Sequence, residues 1–301
     1  MKSTNPVLTK LPLSQQQAGY GPQAGTYGNQ YEGGAYGHNQ GYAQQNPYAQ
    51  QGAYGQQQGG YAPQGGYPQT ASRPITIDDI VTKTGITLAV IIAFALVNFA
   101  VGASGNLGLS TILTIVGAIG GFIAVLVSSF GNKYDSAVVT LIYAVFEGLF
   151  VGGISMMLSG FYFGDANAGS LILQAVLGTI GVFAGMLFVY KVGAIRVTPK
   201  FTRVLTGCIF GVLFLALGNL VLYFITGANP LRGDGPLAII FSLVCIVLAA
   251  LSFLVDFDTA DKLVRMGAPS GMAWGVALGL AVTLVWLYTE ILRLLAIFSR
   301  D

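Results

Sequence analysis

The chain has 301 residues, 53% of them hydrophobic and 9% charged, with 14 Lys and Arg against 12 Asp and Glu. A soluble domain carries about 25% charged residues, so the ionic surface of a water-exposed fold is missing and an ordinary cytosolic enzyme is excluded. A formal net charge of +2 argues against a nucleic-acid partner, and Cys208 and Cys245 both lie within apolar runs, which excludes a disulfide framework or a paired-cysteine metal site.

Residues 1–74 form the first segment. They are rich in Gln, Gly, Tyr, Ala and Pro, and almost devoid of Leu, Ile, Val and Phe after Leu13. Tyrosines recur through this stretch, from Tyr20 and Tyr27 to Tyr61 and Tyr67, next to Gly or Gln. Such a low-complexity array cannot bury a core that offsets its ordering entropy, so it reads as a disordered cytoplasmic tail. A passive extension is preferred to a self-associating Tyr/Gln segment. No charged n-region with an apolar stretch and small-residue site opens the chain, so no cleavable signal peptide is expected.

Residues 75–301 read as the membrane domain. Seven apolar runs are long enough to cross about 30 Å of hydrocarbon at 1.5 Å per residue: 84–103, 108–130, 136–160, 168–190, 203–226, 236–258 and 272–298. Breaks carry turn or charge signals, among them Ser104-Gly105-Asn106, Gly131-Asn132-Lys133, Asp165-Ala166-Asn167 and Gly227 to Pro236. Runs this long are not barrel strands. The predicted fold is an all-α membrane protein, a seven-transmembrane-helix bundle with a disordered N-terminal tail.

Basic residues predict the orientation. Lys2, Lys10, Arg73, Lys83, Lys133, Lys191, Arg196, Lys200, Arg203, Lys262 and Arg265 fall on one side, against Arg232 and Arg300 on the other. A multi-pass protein of the cell (inner) membrane follows, with its N-terminus in the cytoplasm and its C-terminus outside. The glycine pairs Gly117/Gly121, Gly148/Gly152, Gly181/Gly185, Gly207/Gly211 and Gly275/Gly279 predict close helix packing.

Function must come from the few charges in the apolar part. A charge at the bilayer centre costs at least roughly 2.5–3.5 kcal/mol, so it persists where it meets a partner or water. Glu147 lies near the middle of the third span, with no cation in the middle of spans one to six to pair it. Asp256 and Asp258 close the sixth span, about 200° apart around a helix. Glu290 lies in the seventh span, three residues before Arg293 and on the same face. A cluster of these carboxylates would bind a cation or share protons between helices. The bland alternatives are a hydrated interfacial pair for Asp256 and Asp258, local neutralisation of Glu290 by Arg293, and a protonated helix glue for Glu147.

Catalytic readings fail. Gly102-Ala103-Ser104-Gly105 spells the GxSG of intramembrane serine proteases, but the single histidine, His38, is in the tail and no membrane base exists. Gly233-Asp234-Gly235 has the wrong order for the GxGD of two-aspartate proteases, and no HExxH, P-loop or dinucleotide fingerprint occurs in a suitable context. The chain reads as a non-enzyme without a cofactor.

Phe257-Asp258-Thr259, Leu287-Tyr288-Thr289-Glu290 and Phe146-Glu147-Gly148-Leu149 resemble motifs of the sixth, seventh and third spans of the Bax inhibitor family, also called transmembrane Bax-inhibitor-motif or YccA-like proteins. Lys2 to Pro6, Thr76 to Asp79 and Val197 to Arg203 are similar in wording to an actinobacterial branch of that family. The resemblance covers roughly residues 75–300. It implies a pH-sensitive calcium-permeable leak in which Asp258 and Glu290 share protons, with Glu147, Asp256 and Arg293 as ion-binding or supporting residues. Calcium would be a permeant or transient ligand, and the partners would be the lipid bilayer, calcium ions, protons and other membrane proteins. The chain departs from the family pattern in having Glu at 290, no basic residue in the second span, and a longer separation between 258 and 290. If those extra residues lengthen a helix, Asp258 and Glu290 sit at different depths and Glu147 becomes the better partner. The alternative is a non-transporting scaffold that modulates membrane proteolysis or a stress response, partly through the tail. A proton-coupled carrier is weaker, because no inverted repeat is evident.

Overall fold

The computed structural model describes residues 73–159, 168–233 and 235–299. The disordered-tail expectation through residue 72, the turn signal at 165–167, Asp234 and Arg300 lie outside the described residues. Seven helices, each long and apolar enough to cross a membrane, make up the remainder: α1 Ile77–Ala103, α2 Leu107–Phe130, α3 Ala137–Leu158, α4 Ala168–Lys191, α5 Pro199–Thr226, α6 Pro236–Arg265 and α7 Ala273–Phe298. Among the described residues the one further helical piece between them is a short 3-10 turn at Ser270–Met272.

Local chemistry sets where the helices begin. Thr76, Asn106, Ser136 and Thr198 each accept a hydrogen bond from the backbone N–H three residues on, satisfying a donor that the first turn leaves free. Proline opens α5 and α6, where its missing N–H costs nothing. Gly227 ends α5 in the left-handed conformation, at φ 71°.

Two boundaries differ from the sequence reading. α1 starts at Ile77 rather than near 84, because Thr76 and Asp79 form a reciprocal capping box and Arg73 pairs with Asp79 at 2.6 Å. α6 runs to Arg265 rather than stopping at 258. Its last two turns are held by Asp258–Lys262 at 2.6 Å and Asp261–Arg265 at 2.8 Å, both acid-before-base pairs at i,i+4. At about 45 Å, thirty residues exceed the hydrocarbon thickness. The final turns therefore project from the apolar layer, with the Lys262 and Arg265 side chains exposed.

The start of α1, the α2–α3 turn and the α6–α7 linker gather at one end, the basic face. Pro74 and Pro269 form an isolated antiparallel bridge. The Ile75 N–H donates to Ala268 O at 2.8 Å, and the Ser270 N–H to Arg73 O at 3.0 Å. Lys83 Nζ donates to Ser270 O at 2.6 Å and lies over the Trp274 ring. The chain leaving the tail is thus tied to the linker that feeds α7. Thr76→Ala should cost about 1 kcal/mol through the lost cap, read as a lower melting temperature and faster amide exchange confined to the first turn of α1.

α7 is the most enclosed helix and packs against α1, α3, α4 and α6. The tightest contacts join α1 and α2 to α3. Glycine is required there: a β-carbon on Gly117 would lie 2.6 Å from Phe146 O and from Phe150 N, and one on Gly152 would strike Ala95 O. Gly275 likewise admits the Tyr134 ring against α7. The pairs on α4 and α5 differ from expectation. Gly181, Gly185, Gly207 and Gly211 meet nothing within 4 Å; for the α5 pair the reason is that α5 packs chiefly on α6 and turns most of its surface outward. Asn98 joins the close-packed trio, its amide donating to Thr114 Oγ1 at 3.0 Å and Leu149 O at 2.6 Å.

Candidate functional site: a charged cavity around Glu290

Glu290 is 1% exposed, an acid enclosed among seven apolar helices. Among the described residues, one hydroxyl and two guanidinium groups approach its carboxylate. Ser242 of α6 donates its hydroxyl to Oε2 at 3.0 Å. Arg293, one turn on in α7, places Nη1 3.6 Å from Oε2. Arg232, from the loop between α5 and α6, places Nη1 3.6 Å from Oε1. Arg293 is itself nearly buried, and its Nη1 makes no hydrogen bond. Arg232 is 37% exposed and lies over the Phe241 ring. Its loop is folded back by Asn219, which donates to Asn229 Oδ1 and accepts from the Leu231 N–H.

These groups border a cavity of about 530 Å³ that also exposes Glu147, Asn229, Trp286 and Thr289. Glu147 sits over α2, where Gly121 leaves room for it: a β-carbon at Gly121 would lie 2.9 Å from Glu147 Oε2. The register between α3 and α7 follows from two bonds, Thr140 Oγ1 to Trp274 O at 3.2 Å and Ser155 Oγ with Tyr288 OH at 2.8 Å. On that register Glu147 stands level with Ala281, about 13 Å along the axis from Glu290 at 1.5 Å per residue. The two glutamates therefore occupy opposite ends of one elongated cavity. Among the described residues that line it, two carboxylates stand against two guanidinium groups, so their formal charges balance.

A family model described as Bax inhibitor 1 like matches residues 5–300. The chain belongs to the Bax inhibitor 1 like family. No curated protein matches it.

Against the arrangement that the Bax inhibitor resemblance implies, the geometry brings one change. Asp258 and Glu290 are too far apart to share a proton directly. Asp256 accepts from Thr283 Oγ1 at 2.8 Å, and Thr283 stands about 10 Å, two turns, before Glu290 on α7. Asp258 lies further toward the basic face, on the opposite side of α6, paired with Lys262. The register of α6 on α7, fixed by the Asp256–Thr283 bond, sets the two acids at different depths. Glu290 shares a cavity with Glu147 instead, and Arg293 of its own helix approaches it to 3.6 Å.

Asp256 faces Tyr134, which lies in the α2–α3 turn. Burial, and secondarily the Asp256 charge, push the Tyr134 phenol above its ordinary value. Among the described residues, no three His, Cys, Asp or Glu side chains gather as a metal cage. The Bax inhibitor resemblance pointed to neither Arg232 nor Ser242. The signal for Arg232 is its position as the sole basic residue in the loop between spans five and six.

Proposed function

We propose that this Bax inhibitor 1 like protein is a pH-sensitive, calcium-permeable leak of the YccA-like kind, gated at the Glu290 cavity. The observation that carries the reading is a buried carboxylate held by one guanidinium from its own helix and a second from a partly exposed loop. With both arginines in place the cavity is charge-balanced and offers a cation no net attraction. When Arg232 withdraws, the two glutamates outweigh Arg293, and a cation passing through the lumen replaces the missing charge. A proton on Glu290 cancels the charge that holds Arg232 and frees the latch, and loss of that proton while Arg232 is withdrawn restores the second carboxylate charge, so pH acts on both steps. Asp256 and Asp258 supply acidic groups toward the basic face, which the positive-inside pattern makes cytoplasmic. Calcium is cargo in this scheme, bound transiently and not retained.

Reconstitution in liposomes with an enclosed calcium dye tests it. Wild type should pass calcium with a pH-dependent rate, Glu290→Gln should flatten that dependence, and Arg232→Ala should raise the rate at the pH where wild type is slowest. Asp258→Asn should keep the wild-type pH profile, because its partner is Lys262 at the helix surface. Absence of flux in wild type would favour the scaffold reading. An unaltered profile in Glu290→Gln would remove the gate.

A further inference from the structure

On a face of α7 adjoining that of the charged cavity, a second hollow of about 480 Å³ opens sideways between α1 and α4. Its rims carry Ile92 and Leu96 of α1 and Val176 and Ile180 of α4, all exposed. α3 and α7 close its back, where Ser155 and Tyr288 lie. Every one of these helices is a membrane span, and the groove runs from the middle of α1 toward its far-face end. Its mouth therefore opens into hydrocarbon.

The chemistry of the lining selects the occupant. The Ser155 hydroxyl is satisfied by Val151 O at 2.6 Å and by Tyr288 OH at 2.8 Å, and the Thr179 hydroxyl by Ala175 O at 2.8 Å. The polar atoms at its back and wall are thus already bonded within the protein, and the remaining surface is aliphatic or aromatic. Water would gain nothing there, and an empty groove would forfeit dispersion contacts along four helices.

We infer that this groove is a binding site for one acyl chain of a phospholipid, drawn from the leaflet opposite the basic face. The chain enters between α1 and α4, lies along α7 and ends against the Ser155–Tyr288 pair. Val285 borders both hollows and is the wall between the bound chain and the charged cavity.

The test uses the full-length protein in nanodiscs containing phosphatidylcholine with a photoactivatable diazirine in one acyl chain, followed by peptide mapping of the adducts. Adducts should concentrate on α1 and α4 at the groove, above the level on α5, which is equally apolar and more exposed. Ile92→Trp fills the groove from one rim and Val176→Trp from the other. Each should cut groove adducts about tenfold while leaving α5 adducts unchanged. Two rim positions guard against a single variant that fails to fold. Equal labelling of α5 and the groove, or an unchanged yield in both filled variants, would assign the surface to the general lipid shell or another chain and overturn the site.

Discussion

Glu290→Leu should destabilise the folded protein by roughly 3 kcal/mol, the scale for breaking a buried ion pair by removing one partner. The greater share arises at Arg293, whose side chain is 10% exposed and would keep its charge with no carboxylate beside it. Arg232 contributes less, since at 37% exposure it can turn to water. Ser242 would also lose its acceptor. The double variant Glu290→Leu with Arg293→Leu should recover most of the loss, because an apolar pair leaves no orphaned charge. By contrast, Asp258→Asn should cost at most about 1 kcal/mol, as befits an i,i+4 pair whose lysine is 63% exposed. Thermal unfolding of all four proteins in one detergent checks this. A double variant less stable than Glu290→Leu alone would show that the two residues do not act as a pair.

The second large effect lies in the packing of the first three helices. Gly152→Val should prevent α1 and α3 from closing, because the new β-carbon would meet the Ala95 backbone, which no rotamer can relieve. Gly117→Val should do the same between α2 and α3, against Phe146 O and Phe150 N. Overpacking of side chains costs about 1–3 kcal/mol, and a clash with backbone across two long helices exceeds that range. Gly211→Val on α5 serves as the contrast. Nothing lies within 4 Å of that site, and the substitution should leave the yield of monodisperse protein unchanged. Size-exclusion profiles of the three variants, expressed identically, separate the cases.

Length and composition alone determined the solvent. Hydrocarbon leaves no partner for a free backbone group, so an apolar run of sufficient length has one stable form, and seven such runs specified seven helices. Helix ends were harder to read. A polar residue that ends an apolar run suggests the end of a helix, yet Asp258 and Lys262 extend α6 by pairing across one turn. Thr76 and Asp79 begin α1 before its apolar run does. The glycine repeats were legible as spacing, but whether a partner helix lies opposite depends on how spans assemble, which α3 and α5 decide in opposite ways.

The candidate site divides along the same line. Glu147, Glu290 and Arg293 stood out because a charge in an apolar run needs a reason, and the i,i+3 spacing named Arg293 as a neighbour. That Arg232 comes back to Glu290 from a distant loop could not be read from spacing, because local periodicity carries no information on which helices pack side by side. Depth was equally hidden: Asp258 and Glu290 belong to facing helices, but the register of α6 on α7 sets them apart. Which residues must leave water follows from residue chemistry alone, whereas which of them meet follows from the packing of α7 among its neighbours.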